Sequence, residues 1–419
     1  MYNLDSHYEN IFHLSRSIIA DPLLVYLHPF GSTSPENVEI LNANQFSHIN
    51  DTLSKIENEF ARDQLTKLYS GNLIFCFDQE PLNFNFNKEL FNYVDKLAHD
   101  NYGKRSIILL NTEKHSEEKN KILDEFEFID VNYFFHGLAV SDWYRSYYYD
   151  VRLTPIRQRT LKKKFITFNR ITGNSRIYRS LLIAELEDIH QGFISYSDNC
   201  PVHQEHYSQS LIKNYSKYNL DYNYAHEAVK KLDKINFPLR IDSDEKEIPN
   251  GSYSLGPIPE LMSSFLHVVT ETMFWDERTH LTEKIFKPIV AKQPFVLVGC
   301  ANNLKYLKSY GFKTFDQWWD ESYDSITDPT QRLQAVSKII NDICKMEFGD
   351  LTDMLFEMEE VLEHNYNTLY SREFIKLILS EIEQGMSNLD MSNRNYFAYT
   401  QELCEQYLDR YYRKIFPIS

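Results

Sequence analysis

The chain has 419 residues, with 44 Lys and Arg against 60 Asp and Glu and a formal net charge of -16. That length excludes a single small module, and the acidity excludes broad contact with a phosphate backbone, which most of such a surface repels. With only 12 glycines the chain has little material for a glycine-rich phosphate cradle, whereas 29 Tyr and 28 Phe supply bulky core residues.

The five cysteines, Cys76, Cys200, Cys300, Cys344 and Cys404, are far apart and form no C-x-x-C pair. Neither a disulfide framework nor a zinc knuckle is expected, and a reducing compartment is. The start, Met1-Tyr2-Asn3-Leu4-Asp5, has no basic segment leading into an apolar one. No window approaches the ~18 apolar residues of a membrane span. The expectation is a soluble cytoplasmic protein, in the host cytoplasm if phage-encoded; oligomeric state is left open.

Short apolar runs alternate with helix-like stretches through the first third: Leu23 to Leu27, Leu73 to Phe77, Ser106 to Leu110 and Val131 to Phe135. This alternation predicts a parallel sheet covered by helices. Polar clusters close the runs: His28-Pro29-Phe30-Gly31-Ser32, Asp78-Gln79-Glu80-Pro81, Asn111 to His115 and His136-Gly137. Ligands of open α/β sheets bind beyond the carboxyl ends of strands, so these clusters are candidate site segments. The basic, proline-containing stretch Arg152 to Lys164 breaks the pattern and predicts a domain boundary.

A second series follows: Phe165 to Phe168, Gly192 to Tyr196, Phe265 to Val269 and Pro294 to Gly299. It predicts a second doubly wound α/β domain, interrupted over 200–260 by a polar, Tyr-rich insertion of undefined shape. The end of the chain turns helical, with Leu351, Met354, Leu355, Met358 and Leu362 on one face and Phe374, Ile375, Ile378 and Ile382 on another. The expected division is 1–155, 156–345 and a helical tail 346–419 packing on both.

Two segments carry chemistry. In Thr282-Glu283-Lys284-Ile285-Phe286-Lys287-Pro288, Thr282 is a good N-cap and would place Glu283 and Lys284 in the first turn of a helix. Unpaired N–H groups and an adjacent ammonium suit a diphosphate, and an ionised Glu suits ribose hydroxyls. Pro288 predicts a kink. In Asn169-Arg170-Ile171-Thr172-Gly173-Asn174-Ser175-Arg176, a polar strand end flanked by arginines leads into a helix over Ile177 to Leu186, which forms a plausible anion-binding turn.

Together, in this order, these segments resemble the donor half of GT-B glycosyltransferases, most closely the α1,3-fucosyltransferases. That family has a strand-end Asn, six intervening residues and then an Arg, matched in spacing by Asn169 and Arg176. It also has a strand ending near a Glu, a loop, Thr-Glu-Lys and an apolar strand ending in Gly, matched by Glu271, Thr282-Glu283-Lys284 and Val296-Leu297-Val298-Gly299. The likeness covers about 163 to 300. Phe168 stands where the family usually has Ser, and Val269-Thr270-Glu271-Thr272 where it has Phe-Glu-Asn-Ser. The wider pattern, including Asp78 to Pro81 and Gly311 to Phe315, looks like uncharacterised phage and viral glycosyltransferase-like proteins.

The resemblance implies two Rossmann-like domains, the first on the acceptor side and the second binding the nucleotide sugar. It implies that Arg176 and Lys284 hold the diphosphate and Glu283 the ribose, that Glu271 lines the pocket, and that Asn169, Arg170 and Thr282 complete the donor set. No cofactor is implied beyond a UDP- or GDP-sugar as co-substrate. Inversion at the anomeric carbon is expected from the same likeness.

A base for the acceptor hydroxyl is sought at strand ends of the first domain. Asp78 and Glu80 are the leading candidates and His28 and His136 weaker acceptor-side ones. Asp242-Ser243-Asp244 matches the D-x-D that holds a divalent cation in GT-A enzymes. It lies apart from the anion segments and reads as an acidic surface loop, so no metal is expected. The acceptor is a glycan, a small molecule or, using the basic run and aromatic stacking, a hydroxymethylated DNA base. A non-catalytic nucleotide-binding protein of this shape is the remaining alternative.

Overall fold

The computed structural model describes residues 7–11, 14–15, 23–27, 38–42, 45–50, 73–102, 107–148, 150–241, 254–387 and 408–409. The fold is mixed α/β, and the chain divides into two compact units: 1–142 with 372–419, and 143–371. Among the described residues no helix is long and apolar enough to cross a membrane.

The first unit holds a six-stranded sheet of β1 (Leu23–Leu27), β2 (Val38–Asn42), β3 (Gln45–Asn50), β4 (Leu73–Phe77), β5 (Ile107–Asn111) and β6 (Ile129–Asn132), ordered β3-β2-β1-β4-β5-β6. β1, β4, β5 and β6 run parallel, as the apolar runs predict, and β2 and β3 add an antiparallel edge that they do not. Helices α1 (Phe84–Tyr102) and α2 (Glu117–Phe126) make the crossovers, and α3 (Phe135–Trp143) follows β6. Ser116 caps α2 by accepting from the Lys119 N–H, with Glu117 and Glu118 in the first turn where the helix dipole favours them.

Alternate residues Leu73, Phe75 and Phe77 of β4, with Ile107 and Leu109 of β5, form one core with Leu90, Phe91 and Val94 of α1 and Ile122 and Phe126 of α2. The parallel strands stand in sequence order, so this sheet has no reversal of winding. The expectation of a doubly wound first domain is corrected accordingly. The run at 131–135 also resolves differently: Tyr133 N–H still bonds Asn111 C=O, but the chain then turns into α3.

The second unit holds a four-stranded, wholly parallel sheet of β7 (Lys163–Asn169), β8 (Gly192–Tyr196), β9 (Ser264–Thr270) and β10 (Phe295–Val298), ordered β10-β9-β7-β8. Every residue of β9 and β10 is buried, as expected of parallel strands covered on both faces. The chain places β8 on one side of β7 and β9 on the other. Their connections therefore part at β7 and β9, leaving a crevice at the carboxyl ends.

Helix α4 (Tyr178–Glu185) follows β7. The polar stretch after 200 folds into α5 (Tyr207–Asn214) and α6 (Tyr222–Leu232), and Asp221 caps α6 through the Tyr224 N–H. Next come α7 (Ile258–Met262), α8 (Phe286–Val290), α9 (Asn303–Ser309) and α10 (Pro329–Lys345). α11 (Phe348–Glu357) and α12 (Glu359–Leu369) close this unit, and α13 (Arg372–Ser387) belongs to the first.

Two boundaries therefore shift. The first falls at 142/143 rather than near 155, because Tyr144 and Tyr148 are held by α12 and the residue after it. The Tyr366 hydroxyl donates to Tyr148 C=O at 2.7 Å and that of Tyr370 to Tyr144 C=O at 2.8 Å. The second falls at 371/372 rather than 345, so the tail helices are divided between the units. On α13, Glu381 accepts from Lys114 at 2.9 Å and from the Phe134 N–H at 3.1 Å. A Cβ on Gly385 would sit 2.5 Å from Val131 Cγ1, so only glycine allows this helix so close to β6. Amphipathic spacing says that a helix buries one face, not which sheet receives it.

Candidate functional site

A cavity of about 530 Å³ opens in the second unit at the carboxyl ends of β7, β8 and β9. Its charged wall consists of Arg170 and Arg176 from the loop after β7, Arg179 from the start of α4, and Glu283, Lys284 and Lys287 from the segment after β9. Its neutral wall includes Phe168, Leu255, Pro257 and Val268, with Ser195 and Ser254 adding hydroxyls. Gly256, with φ of +93°, lets the backbone lie against Phe168, since a Cβ would come 3.2 Å from the ring.

The loop carrying the arginines is tied down from three sides. Arg179, at the start of α4, donates to the carbonyls of Ile171 and Thr270 at 2.9 Å each and of Glu271 at 3.1 Å. Its charge thus joins the ends of β7 and β9. Trp275 Nε1 donates to Ser175 C=O at 2.6 Å, and the indole stacks on Tyr218 at 4.4 Å. Lys217 reaches Asn174 Oδ1 at 3.3 Å. The Tyr-rich insertion is therefore part of the scaffold that holds this loop.

Glu283–Ile285 is a single 3-10 turn running into the five-residue α8, not the longer capped helix the spacing predicts. Thr282 makes no capping bond, because its hydroxyl donates instead to Glu271 Oε2 at 2.6 Å. With so short a helix the positive potential comes from side chains rather than a dipole. Lys284 Nζ donates to Thr282 Oγ1 at 3.0 Å, Thr272 Oγ1 at 3.1 Å and Glu283 Oε1 at 3.2 Å.

Glu271 is fully buried, and its oxygens also accept from the Thr282 and Thr272 N–H groups. Burial raises its pKa above the usual carboxylate value, with Lys284 and Thr282 opposing. Rather than lining the cavity, Glu271 lies beneath it and orients Thr282, which in turn orients Lys284. Asn169 plays a similar part, accepting from Thr270 Oγ1 at 3.0 Å and donating to Thr167 Oγ1 at 3.2 Å. Glu271→Ala should lower stability by about 2–3 kcal/mol by leaving the Thr282 donors unpaired, whereas Glu271→Gln should cost about 1 kcal/mol or less. Urea denaturation of the two variants measures the difference.

The structure thus brings Arg170, Arg176, Glu283 and Lys284 to one cavity and sets Asn169, Glu271 and Thr282 behind it. Sequence reasoning misses Lys287, His267 and the 254–257 wall. Lys287 has a visible signal in its spacing three residues beyond Lys284. The wall has none, because it is brought there by chain reversal.

In the first unit Asp78 is buried, accepting from Tyr8 Oη at 2.8 Å and from the Tyr133 hydroxyl. Burial pushes its carboxyl up to about 7 against the two tyrosine bonds, which lower it. Glu80 is exposed and His136 is buried in α3. His28 and Asp242 to Asp244 lie outside the described residues.

Side chains of the basic run are used within the protein. Arg152 pairs with Asp150 at 2.6 Å and Arg157 with Glu359 at 2.7 Å. Arg159 donates to Lys292 C=O at 2.7 Å and Ala291 C=O at 2.8 Å, Lys163 to His190 C=O, and Lys164 to Cys344 C=O at 2.7 Å. Arg159 and Lys164 are buried bracing, whereas Arg152, Arg157 and Lys162 are exposed.

The fold and cavity define an α/β protein with a cationic strand-end site. No family model, no curated protein and no solved structure matches the chain.

Proposed function

We propose that the chain is a glycosyltransferase of the GT-B kind, moving a sugar from a nucleotide-diphosphate sugar, UDP- or GDP-linked, to an acceptor hydroxyl on a glycan or small molecule. The single observation that carries this reading is the cavity at the parting of β7 and β9. Five cationic side chains, Arg170, Arg176, Arg179, Lys284 and Lys287, line one space of nucleotide size there, with Glu283 among them. Arg176 and Lys284 meet the negative charge that develops on the leaving diphosphate, and Glu283 accepts from ribose hydroxyls. Phe168, Leu255 and Pro257 offer an apolar wall to the nucleobase. Of the two strand-end carboxylates of the first unit, Glu80 is exposed and Asp78 buried, so Glu80 is the better candidate for a base; inversion at the anomeric carbon rests on the fucosyltransferase likeness. This chemistry places no step on a metal ion.

A thermal-shift screen with UDP, GDP, CMP and dTDP compounds and their sugars tests the donor site. A ligand at a hundred times its Kd should stabilise the protein by about 2.7 kcal/mol. Absence of a shift with every compound would refute the reading. A shift without nucleotide release from any sugar donor would favour a non-catalytic nucleotide-binding protein.

A further inference from the structure

Lys287 lies three residues beyond Lys284 and lines the same cavity, its Nζ 6.0 Å from the centre of the Phe168 ring. Among the described residues, the charged groups that line the cavity with it are Arg170, Arg176, Arg179, Glu283 and Lys284. Glu283 and Lys284 stand on its own segment, and β9 contributes His267, which burial and the Lys287 charge hold neutral with a pKa drawn down to about 3. β7 contributes the uncharged Phe168. Helix α12, which packs on α8, carries Glu359, Glu360 and Glu363, but these pair with Arg157, Lys313 and Lys292. Among the described residues lining this cavity, the carboxylate of Glu283 stands against the ammonium groups of Lys284 and Lys287 and the guanidinium groups of Arg170, Arg176 and Arg179. A multiply charged anion is the ligand that balances this set.

We propose that Lys287 is a second ammonium ligand for the diphosphate and that the nucleotide enters together with a proton taken up from solvent by this lysine, an inference that rests on the nucleotide-donor reading. Burial chiefly, then the Lys284 charge, lowers Lys287 to about 8, with Glu283 opposing. Before an anion binds, the side chain is therefore largely neutral amine above that pH. A bound diphosphate restores the ammonium form, and binding consumes one proton from the buffer for each amine so charged.

The test is calorimetric titration of the wild-type protein with GDP and UDP, whose phosphates are ionised throughout the range used, at pH 7.5 to 9 in two buffers of different ionisation enthalpy. The expected result is an affinity that falls about eight-fold from pH 7.5 to 9, the loss of the protonated fraction of a group titrating at about 8. The binding heat should differ between buffers by the enthalpy of about half a proton at pH 8, rising to nearly one at pH 9. Lys287→Arg, charged at every pH, should keep affinity and abolish both effects; Lys287→Met should bind weakly and without pH dependence. Nucleotide binding by the wild type with constant affinity and no buffer dependence would overturn the role of Lys287 and leave the donor site standing. Persistence of both effects in Lys287→Arg would also overturn it, by assigning the proton elsewhere. Failure of both nucleotides to bind at any pH would overturn the donor reading as well.

Discussion

Lys284→Ala is expected to slow nucleotide-diphosphate release by about a hundred- to a thousand-fold, the loss seen when one preorganised charge-stabilising donor is removed from a reacting centre. The side chain is held for this role: its ammonium is fixed by Thr272, Thr282 and Glu283, and Thr282 is itself fixed by the buried Glu271. Little reorganisation is then needed as charge develops on the leaving phosphate. The lysine side chain is 29 % exposed, so its ion pair with Glu283 contributes within about 1 kcal/mol to folding. The variant should therefore unfold at nearly the wild-type denaturant concentration while losing turnover, which separates a functional role from a structural one. Steady-state release of the nucleotide from its sugar donor checks the result. Activity within three-fold of wild type would show that the donor site is misassigned.

Asp78→Asn is expected to gain stability relative to the wild type as pH rises from about 4 to about 7, reaching a difference on the order of 4 kcal/mol that then stays constant. The sign follows from the raised carboxyl. Its native pKa is about 7 against 3.8 for the exposed group, so the folded state prefers the protonated form. The stability this confers is fully present below 3.8 and lost as pH rises through the native value. Asparagine cannot ionise and keeps an oxygen for one of the two tyrosines. Asp78→Ala would leave the buried hydroxyls of Tyr8 and Tyr133 without their acceptor and should be destabilising at every pH. Urea midpoints of wild type and Asp78→Asn at pH 4, 5.5, 7 and 8 give the difference directly. A difference independent of pH would show that Asp78 ionises in the folded protein as it does in water.

The same carboxylate shows where reading residues in order reaches its limit. Asp78 follows a strong apolar strand and precedes a proline, which in sequence looks like a side chain presented at a strand end. In the fold it points to the face opposite the α1 and α2 core, where Tyr8 and Tyr133, from distant parts of the chain, cover it. The basic run shows the same limit: its six cations in thirteen residues are legible, but not that Arg157, Arg159 and Lys164 reach partners about 130 to 200 residues away. Glu271 differs in kind. Its position beside the donor segment is legible, but its orientation beneath Thr282 is set by the end of β9 and is not.

What the sequence by itself determined is local. Apolar runs of strand length placed β1, β4, β5, β7, β8, β9 and β10 to within a residue or two, because burial on both faces of a parallel sheet demands continuous apolar side chains. The polar strand ends with Arg170, Arg176, Glu283 and Lys284 were likewise legible, because the carboxyl ends of parallel strands are where such a sheet opens a crevice. The tertiary structure decided what depends on chain reversal: the order of strands that parts β7 from β9, the wall at 254–257, the addition of Lys287 to the cationic set and the division of the tail helices. These rest on contacts between residues far apart in sequence, and neither spacing nor propensity records which distant partner a buried face or a buried charge will find.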